Sequence, residues 1–498
     1  MDRSPDTAQS ECSPSTRGRG WLVTTIAGLL MAVCFVGMAV VRDLRAHIPT
    51  FLVWYGVAYL AYGVAVWWVL RRPQARATLP IILCAAVVFR IVLFFATPPT
   101  LSDDVYRYIW DGRVSGAGVN PYAHAVNSPD LDWLDSPQRG LVNNDWMASP
   151  YLPVAQVLSA AVYRGVPDSP LAFQVIAVAL DLLTGWLVVD LLGRVGLPRA
   201  LSLVYLWNPL VIVEFAHGAH VVDALMLCLM MLALWLMIAR RFRVLSAIAL
   251  AAATLTKGLP VLLMPLLVRR WRFGPTILYG GLVVAACAVF AQGAGWGLVG
   301  PLDGEGVFGA MRIYGAYWNY NGGVYHWLEV LLSGYPTPGA VSPEIVGWQP
   351  IAIAKGIVGV ALLVVLAAVW VRGRRCDDDV SLLRLAVVPL GAYLLLATTV
   401  HPWYVTLALP VLPFLARPEG RARASRHLMP WLYVAAAVNL SYLTYLDPAN
   451  LREYDTVRLL EYIPLYLLLI WSVWPASVPA GRAEKGPAQP RIQSSRDT

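Results

Sequence analysis

Five short polar clusters interrupt an otherwise apolar chain, and each holds side chains able to move a proton, bind an anion or pack on a ring. Ser102-Asp103-Asp104 puts two carboxylates side by side at the mouth of an apolar run. Adjacent carboxylates repel each other, which suits one of them to accept a proton. Acidic residues behind a Ser102 N-cap would also stabilise a helix start without any chemistry. In His217-Gly218-Ala219-His220 the imidazoles are three apart, so they could share a helical face with Asp223 one turn further on. His-x-x-His without a third ligand does not demand a metal, so no cofactor is expected, with a divalent ion left open. Phosphate binding and plain interfacial polarity stay open for this pair. Lys257, at an interruption in an apolar stretch, either snorkels or holds a phosphate oxygen. Trp318, Asn319 and Asn321 form either an interfacial girdle or a platform where aromatic faces and amides meet a polyhydroxy ring. His401, Trp403 and Tyr404 follow the same alternatives, membrane anchoring or contact with substrate.

The elements that must position these clusters are membrane spans. The 498 residues are 58% hydrophobic and only 14% charged, with a mean hydropathy of +0.59. Soluble domains carry about 25% charged residues, so this is an integral membrane protein. The net charge of +8 invites a nucleic-acid reading. No nucleic-acid partner is expected, because the arginines sit in short clusters between spans, as the positive-inside rule requires. Six scattered cysteines form no C-x-x-C pair, and neither a disulfide framework nor a zinc site is indicated.

With Arg17 and Arg19 placed in the cytoplasm, spans are expected near 21–41, 50–70, 79–97, 170–192, 199–217, 221–239, 275–291, 350–371, 381–399, 403–416, 428–446 and 459–475. The stretch 244–268 is long enough for one crossing, but that would put Arg269, Arg270 and Arg272 outside. Two short helices turning at Lys257-Gly258 restore the alternation. The expected fold is an all-α polytopic bundle of about 12–14 transmembrane helices. Residues 1–20 and 476–498 would be disordered cytoplasmic tails around one domain at 21–475, with outer loops at 98–169 and 292–349. All five clusters then fall on the outer side. The first outer loop should open with an amphipathic interfacial helix, with Val105, Tyr108, Ile109 and Gly112 on one face and Asp104, Arg107 and Asp111 on another.

At these residues the chain resembles the GT-C superfamily of membrane glycosyltransferases, in particular bacterial polyprenyl-phosphate-mannose-dependent α-mannosyltransferases. The carriers are SDDVYRYIWDGRV with GVNPY, WNPLVIVEFAHGAHVVDAL, TKGLPVLLMPLL, WNYNGGVYH and HPWYVTLALPVLPF, in that order from about Pro98 to Phe414. The resemblance implies an extracytoplasmic site with a catalytic Asp at the start of the first outer loop. Asp103, nearer the membrane, is favoured as the base over Asp104. It implies inverting transfer of a hexose, mannose, from a polyprenyl-phosphate carrier to a glycan or glycolipid acceptor at the membrane. The leaving phosphate would be met by some of Arg107, His217, His220, Lys257 and His401. Asp223, Trp318, Asn319, Asn321, Trp403 and Tyr404 would face sugar. Where the family's second motif commonly reads Asn-Ala-His-Asn-Asp, this chain has His217-Gly218-Ala219-His220-Val221-Val222-Asp223 and lacks the Asn. A transporter or flippase for lipid-linked saccharide is the rival class, but it would carry mid-bilayer ionisable groups and an internal repeat, and no repeat is visible.

Overall fold

The computed structural model describes residues 20–72, 78–96, 98–134, 136–300, 302–333, 350–416, 426–447 and 451–474. The expected tails, apart from Gly20, lie outside the described residues. Three antiparallel helices open the chain: α1 (Gly20–Val41), α2 (Ile48–Arg71) and α3 (Thr78–Leu93). Helices α4 (Asp104–Gly116) and α5 (Pro153–Gly165) follow in the first large loop and lie against each other. Gly112 permits that approach, since a Cβ there would meet the Ser159 carbonyl oxygen at 2.5 Å. Helix α6 (Pro170–Arg194) starts with Pro170 in its first turn and the Ser169 hydroxyl accepting the Ala172 N–H at 3.2 Å.

The next apolar stretch is broken. Helices α7 (Leu203–Leu206) and α8 (Pro209–Ile212) belong to two halves, Arg199–Leu206 and Pro209–His217, set at 58°. Pro209 cannot continue the preceding helix, and Asn208 restarts the chain by accepting the Leu210 N–H at 3.0 Å. Arg90, in the third span, clamps this break. Its guanidinium pairs with Asp181 and donates to the Leu206 carbonyl at 3.0 Å, while the Tyr205 hydroxyl donates to Asp181 at 2.7 Å. All three are fully buried, so the charge within this apolar span is matched where it sits.

Helix α9 (Val221–Ala239) is the most enclosed span. Helices α10 (Arg243–Thr254) and α11 (Met264–Trp271) are joined through a turn at 255–258 and a 3-10 segment. They form a hairpin: the Trp271 indole N–H at the end of α11 donates to the Ser246 hydroxyl at the start of α10, at 2.9 Å. Then come α12 (Phe273–Ala291), α13 (Gly309–Tyr317), α14 (Val324–Ser333), α15 (Pro350–Gly373), α16 (Asp379–Leu396), α17 (Pro402–Val405), α18 (Met429–Ala437) and α19 (Asp455–Val473).

Among the described residues nine helices are long and apolar enough to cross a membrane, or ten if the bent pair is one span. This is an all-α polytopic membrane protein, with no β-strand among the described residues. The expected spans at 403–416 and 428–446 wind instead as short α-helices that tighten into 3-10 segments, Thr406–Leu415 and Val438–Leu446. Pro410 and Pro413 remove α-helical donors in the first of these. A 3-10 segment rises about 2.0 Å per residue, so the tighter winding still carries the chain a long way.

Two ends of the bundle emerge. At one, Arg241 and Arg270 reach the same Asp379 carboxylate and Arg269 meets the Arg374 carbonyl. At the other, the loop after α3, the residues before α9, the α10–α11 turn and the segments before α14 and α17 come together.

Candidate active site

All five polar clusters meet at this second end. Asp103 is the N-cap residue of α4, with Asp104 the first helical residue. The expected cap is displaced by one: the Ser102 hydroxyl accepts the Asp104 N–H at 3.3 Å, and it is Asp103 that takes the capping position. The neighbouring carboxylates point to different partners. Asp103 is held bidentate by Arg45, with N–O distances of 3.0 and 2.9 Å. Arg45 also lies over the Tyr445 ring at 4.7 Å. Asp104 turns inward. One of its oxygens accepts from the Asn143 amide at 3.2 Å, and the other faces His220 Nδ1 at 3.7 Å.

His220 is fully buried, with Nε2 3.2 Å from the Glu214 carboxylate, which in turn accepts the Tyr442 hydroxyl at 3.1 Å. The local backbone explains this placement. Residues Val213–His217 widen into a π-helical turn, and Ala219 then takes a positive φ of 55°. An alanine avoids that conformation at a cost of roughly 1–2 kcal/mol, and such irregularities gather at functional sites. The break also corrects the expectation that His217 and His220 share a face. His217 points to Thr100, with Nε2 3.3 Å from both its N–H and its hydroxyl, while His220 faces Asp104. Among the described residues no group of three or more His, Cys, Asp and Glu is arranged to hold a metal ion.

From His220 a stack of rings forms one wall. His220 lies on Trp403 at 4.1 Å, Trp403 on His401 at 4.5 Å, and His401 on Tyr320 at 4.6 Å between centroids. Short backbone bridges fix the last contact. The Tyr320 N–H donates to the Thr398 carbonyl at 3.2 Å and the Val400 N–H to the Tyr320 carbonyl at 2.8 Å. Burial pushes the His401 imidazole down to about 3, so this ring is neutral near pH 7. Lys257, at the hairpin turn, donates to Asp223 at 2.7 Å and sits 4.0 Å above the Tyr404 ring. Burial, and then the charge of Asp104, raise the Tyr314 phenol well above its ordinary range, so it remains a protonated donor. Tyr314 stacks on Trp318 at 4.3 Å.

Several residues expected to touch substrate have other duties. Arg107 is buried, and its guanidinium donates to the carbonyls of Asn143, Asn144 and Met147 at 2.8–3.2 Å. It therefore holds the loop that brings the Asn143 amide to Asp104, rather than presenting a free cation. This loop covers α4, so Arg107 and Asp111, placed on the polar face by the sequence, are both enclosed. Asn321 donates its amide to Glu461 at 2.7 Å and its N–H to Glu453 at 2.8 Å. Asn319 donates to Glu329 at 3.0 Å. Trp403 is 8% exposed within its stack, so it offers no open ring face. The residues that sequence reasoning missed are Arg45, Asn143 and Tyr442. Arg45 carried a usable signal: it is a cation in a short outer loop, against the positive-inside trend.

A polytopic helical bundle whose polar groups gather at one end around a largely enclosed carboxylate defines the class, a polytopic membrane protein with an enzyme-like polar cluster. Residues 16–272, just over half of the chain, match the family described as Alpha-(1->6)-mannopyranosyltransferase, N-terminal domain, and the chain belongs to that family. It is 25% identical over 251 residues to Alpha-(1->6)-mannopyranosyltransferase A of Corynebacterium glutamicum, a match covering 43% of this chain and 49% of that protein. It is 24% identical over 404 residues to Alpha-(1->6)-mannopyranosyltransferase A of Mycobacterium tuberculosis, covering 78% of this chain and 75% of that protein. The match therefore spans about half the length of the first relative and three quarters of the second. No solved structure matches the chain.

Proposed function

We propose that the protein is an inverting mannosyltransferase of the cell membrane. It would take mannose from a polyprenyl-phosphate carrier and add it to a glycan or glycolipid on the extracytoplasmic side. The family supports mannosyl transfer, and the arginines at the opposite end support the orientation. The observation that carries the mechanism is the contrast between the two adjacent carboxylates. Arg45 engages both oxygens of Asp103, whereas Asp104 keeps one oxygen without a hydrogen bond, 3.7 Å from His220 Nδ1. Asp104 is therefore the base in this reading, in place of the Asp103 favoured from sequence.

As the acceptor oxygen attacks the anomeric carbon, its proton passes to Asp104, and the bond from that carbon to the phosphate oxygen breaks. The polyprenyl phosphate leaves with the electron pair. A sugar hydroxyl is a weak acid, so proton transfer accompanies bond formation. Charge on the leaving phosphate needs fixed donors. Lys257 suits that role, because its ammonium has three N–H donors and Asp223 takes one. His401 is neutral and contributes as wall rather than as cation. Displacement on one face inverts the centre, so a β-linked donor gives an α product.

The test is a transfer assay with purified protein and a lipid-linked α-(1→6)-mannoside acceptor. It compares labelled polyprenyl-phosphate-mannose with labelled GDP-mannose. Transfer from the lipid donor alone is expected. Transfer from the nucleotide sugar without lipid carrier, or from neither, would refute the reading.

A further inference from the structure

Glu214 and Tyr442 are buried polar groups that the transfer step above leaves unused. Glu214 is 1% exposed within an apolar stretch, where an ionisable group is costly unless it is paired or has a function. It accepts the Tyr442 hydroxyl at 3.1 Å and faces His220 Nε2 at 3.2 Å. The other ring nitrogen, Nδ1, lies 3.7 Å from the free oxygen of Asp104. Carboxylate, imidazole and carboxylate thus follow one another, and Asp104, with 16% of its side chain exposed, is the member that substrate can reach.

The backbone aims this imidazole. The His220 N–H donates to the Glu214 carbonyl at 3.2 Å. A Cβ on Gly218 would meet that carbonyl oxygen at 2.7 Å and His220 Cδ2 at 2.9 Å, so only glycine leaves the ring its place. Trp403 covers the ring face at 4.1 Å between centroids, and an indole face favours a cation. Both nitrogens of His220 are enclosed and neither is yet aligned with a hydrogen-bond partner. Catalytic hydrogen bonds commonly tighten only as substrate closes the site.

We infer that His220 and Glu214 carry the proton onward from Asp104, an inference that rests on the mannosyltransferase reading and its choice of base. The acceptor proton first bonds to Asp104. It then moves to His220 Nδ1: the Asp104 O–H bond breaks, an N–H bond forms on the nitrogen lone pair, and Asp104 returns to a carboxylate. An imidazole is a stronger base than a carboxylate, so the proton comes to rest on the ring. Glu214 then stabilises the imidazolium, as the third member of a triad does. The proton leaves by the reverse path once the product has gone. His220 touches no substrate and acts through Asp104, as a positioning residue.

The experiment measures steady-state transfer from polyprenyl-phosphate-mannose for the wild type, His220→Gln and Glu214→Gln with two acceptors. One is octyl α-(1→6)-mannobioside, and the other carries a thiol in place of the 6-hydroxyl of its terminal mannose. A thiol ionises far more readily than a hydroxyl and needs less help from a base. Glu214→Gln keeps an oxygen for the Tyr442 hydroxyl, so its loss reports the charge. The expected result for both variants is a kcat loss of roughly tenfold or more with the hydroxyl acceptor. With the thiol the loss should be about threefold or less, and donor KM should stay within about twofold. Equal losses with both acceptors would mean damaged packing and would overturn the path, as would no loss. Thermal unfolding across the Asp104→Asn and His220→Gln cycle reads the contact without turnover, and the double variant should lose less than the sum of the singles. If the wild type transfers no mannose, the reading falls and the cycle alone judges the path: coupling keeps it, and additive losses overturn it.

Discussion

Arg241, with 61% of its side chain exposed, shares the Asp379 carboxylate with Arg270 at one end of the bundle. At the other end Lys257 and Asp223 meet at 2.7 Å with 17% and 2% exposure. The Arg241 pair is largely exposed and contributes about 0–1 kcal/mol, and the more covered Arg270 gives the same carboxylate a second cation. The arrangement around Lys257 places charges among rings and apolar side chains, where each charge depends on its partner. The arginine end holds its charges with redundant, replaceable groups. The other end has none to spare: a π-helical turn, a left-handed alanine at 219 and a four-ring stack hold a few polar groups at fixed distances. Such preorganisation is what an active site requires.

Breaking the Lys257–Asp223 pair from one side should give the largest stability effect. Lys257→Met strands a buried carboxylate and should cost about 3–5 kcal/mol, while Lys257→Met with Asp223→Asn should regain most of it. Thermal unfolding in detergent across the double-mutant cycle reads this, and additive losses would show that the two charges are not coupled.

Acid should act on the same end. The unfolded His401 imidazole takes up a proton below about 6.5, whereas the folded one does so only near 3. The unfolded state binds more protons between those values, so stability is intact above 6.5 and falls as the pH drops through that window. His401→Gln should flatten the fall in melting temperature from pH 6.5 to 4. An unchanged slope would mean that other groups set it.

Asp103→Asn loosens a pair whose members are 30–35% exposed, and should cost about 1 kcal/mol or less. Arg241→Ala, at the arginine end, should change stability by no more than about 0.5 kcal/mol. A loss there as large as that of Lys257→Met would erase the distinction between the ends.

Much of this division was legible in the chain. Arginine clusters gave the alternation, and the charge argument for a turn at Lys257 matches the hairpin closed by Trp271 and Ser246. The clusters themselves were found because polar residues are scarce in an apolar sequence. What stayed hidden depends on contacts distant along the chain. Asp103 and Asp104 are equivalent by type and position until Arg45, 58 residues earlier, takes one and Asn143, 39 residues later, reaches the other. The regular helix assumed for His217 and His220 failed at a π-helical turn, which no periodicity announces. The partners of Arg90, Asp181 and the Leu206 carbonyl, are brought to it only by packing, 91 and 116 residues along the chain.

The central claim is that Asp104, and not its neighbour, accepts the proton. Mannosyl transfer from labelled polyprenyl-phosphate-mannose, measured for the wild type, Asp103→Asn and Asp104→Asn at equal amounts of folded protein, tests it most directly. The account predicts a loss in kcat of about 100-fold or more for Asp104→Asn, with donor KM little changed, and less than about tenfold for Asp103→Asn. Transfer that survives Asp104→Asn and is abolished by Asp103→Asn would contradict it.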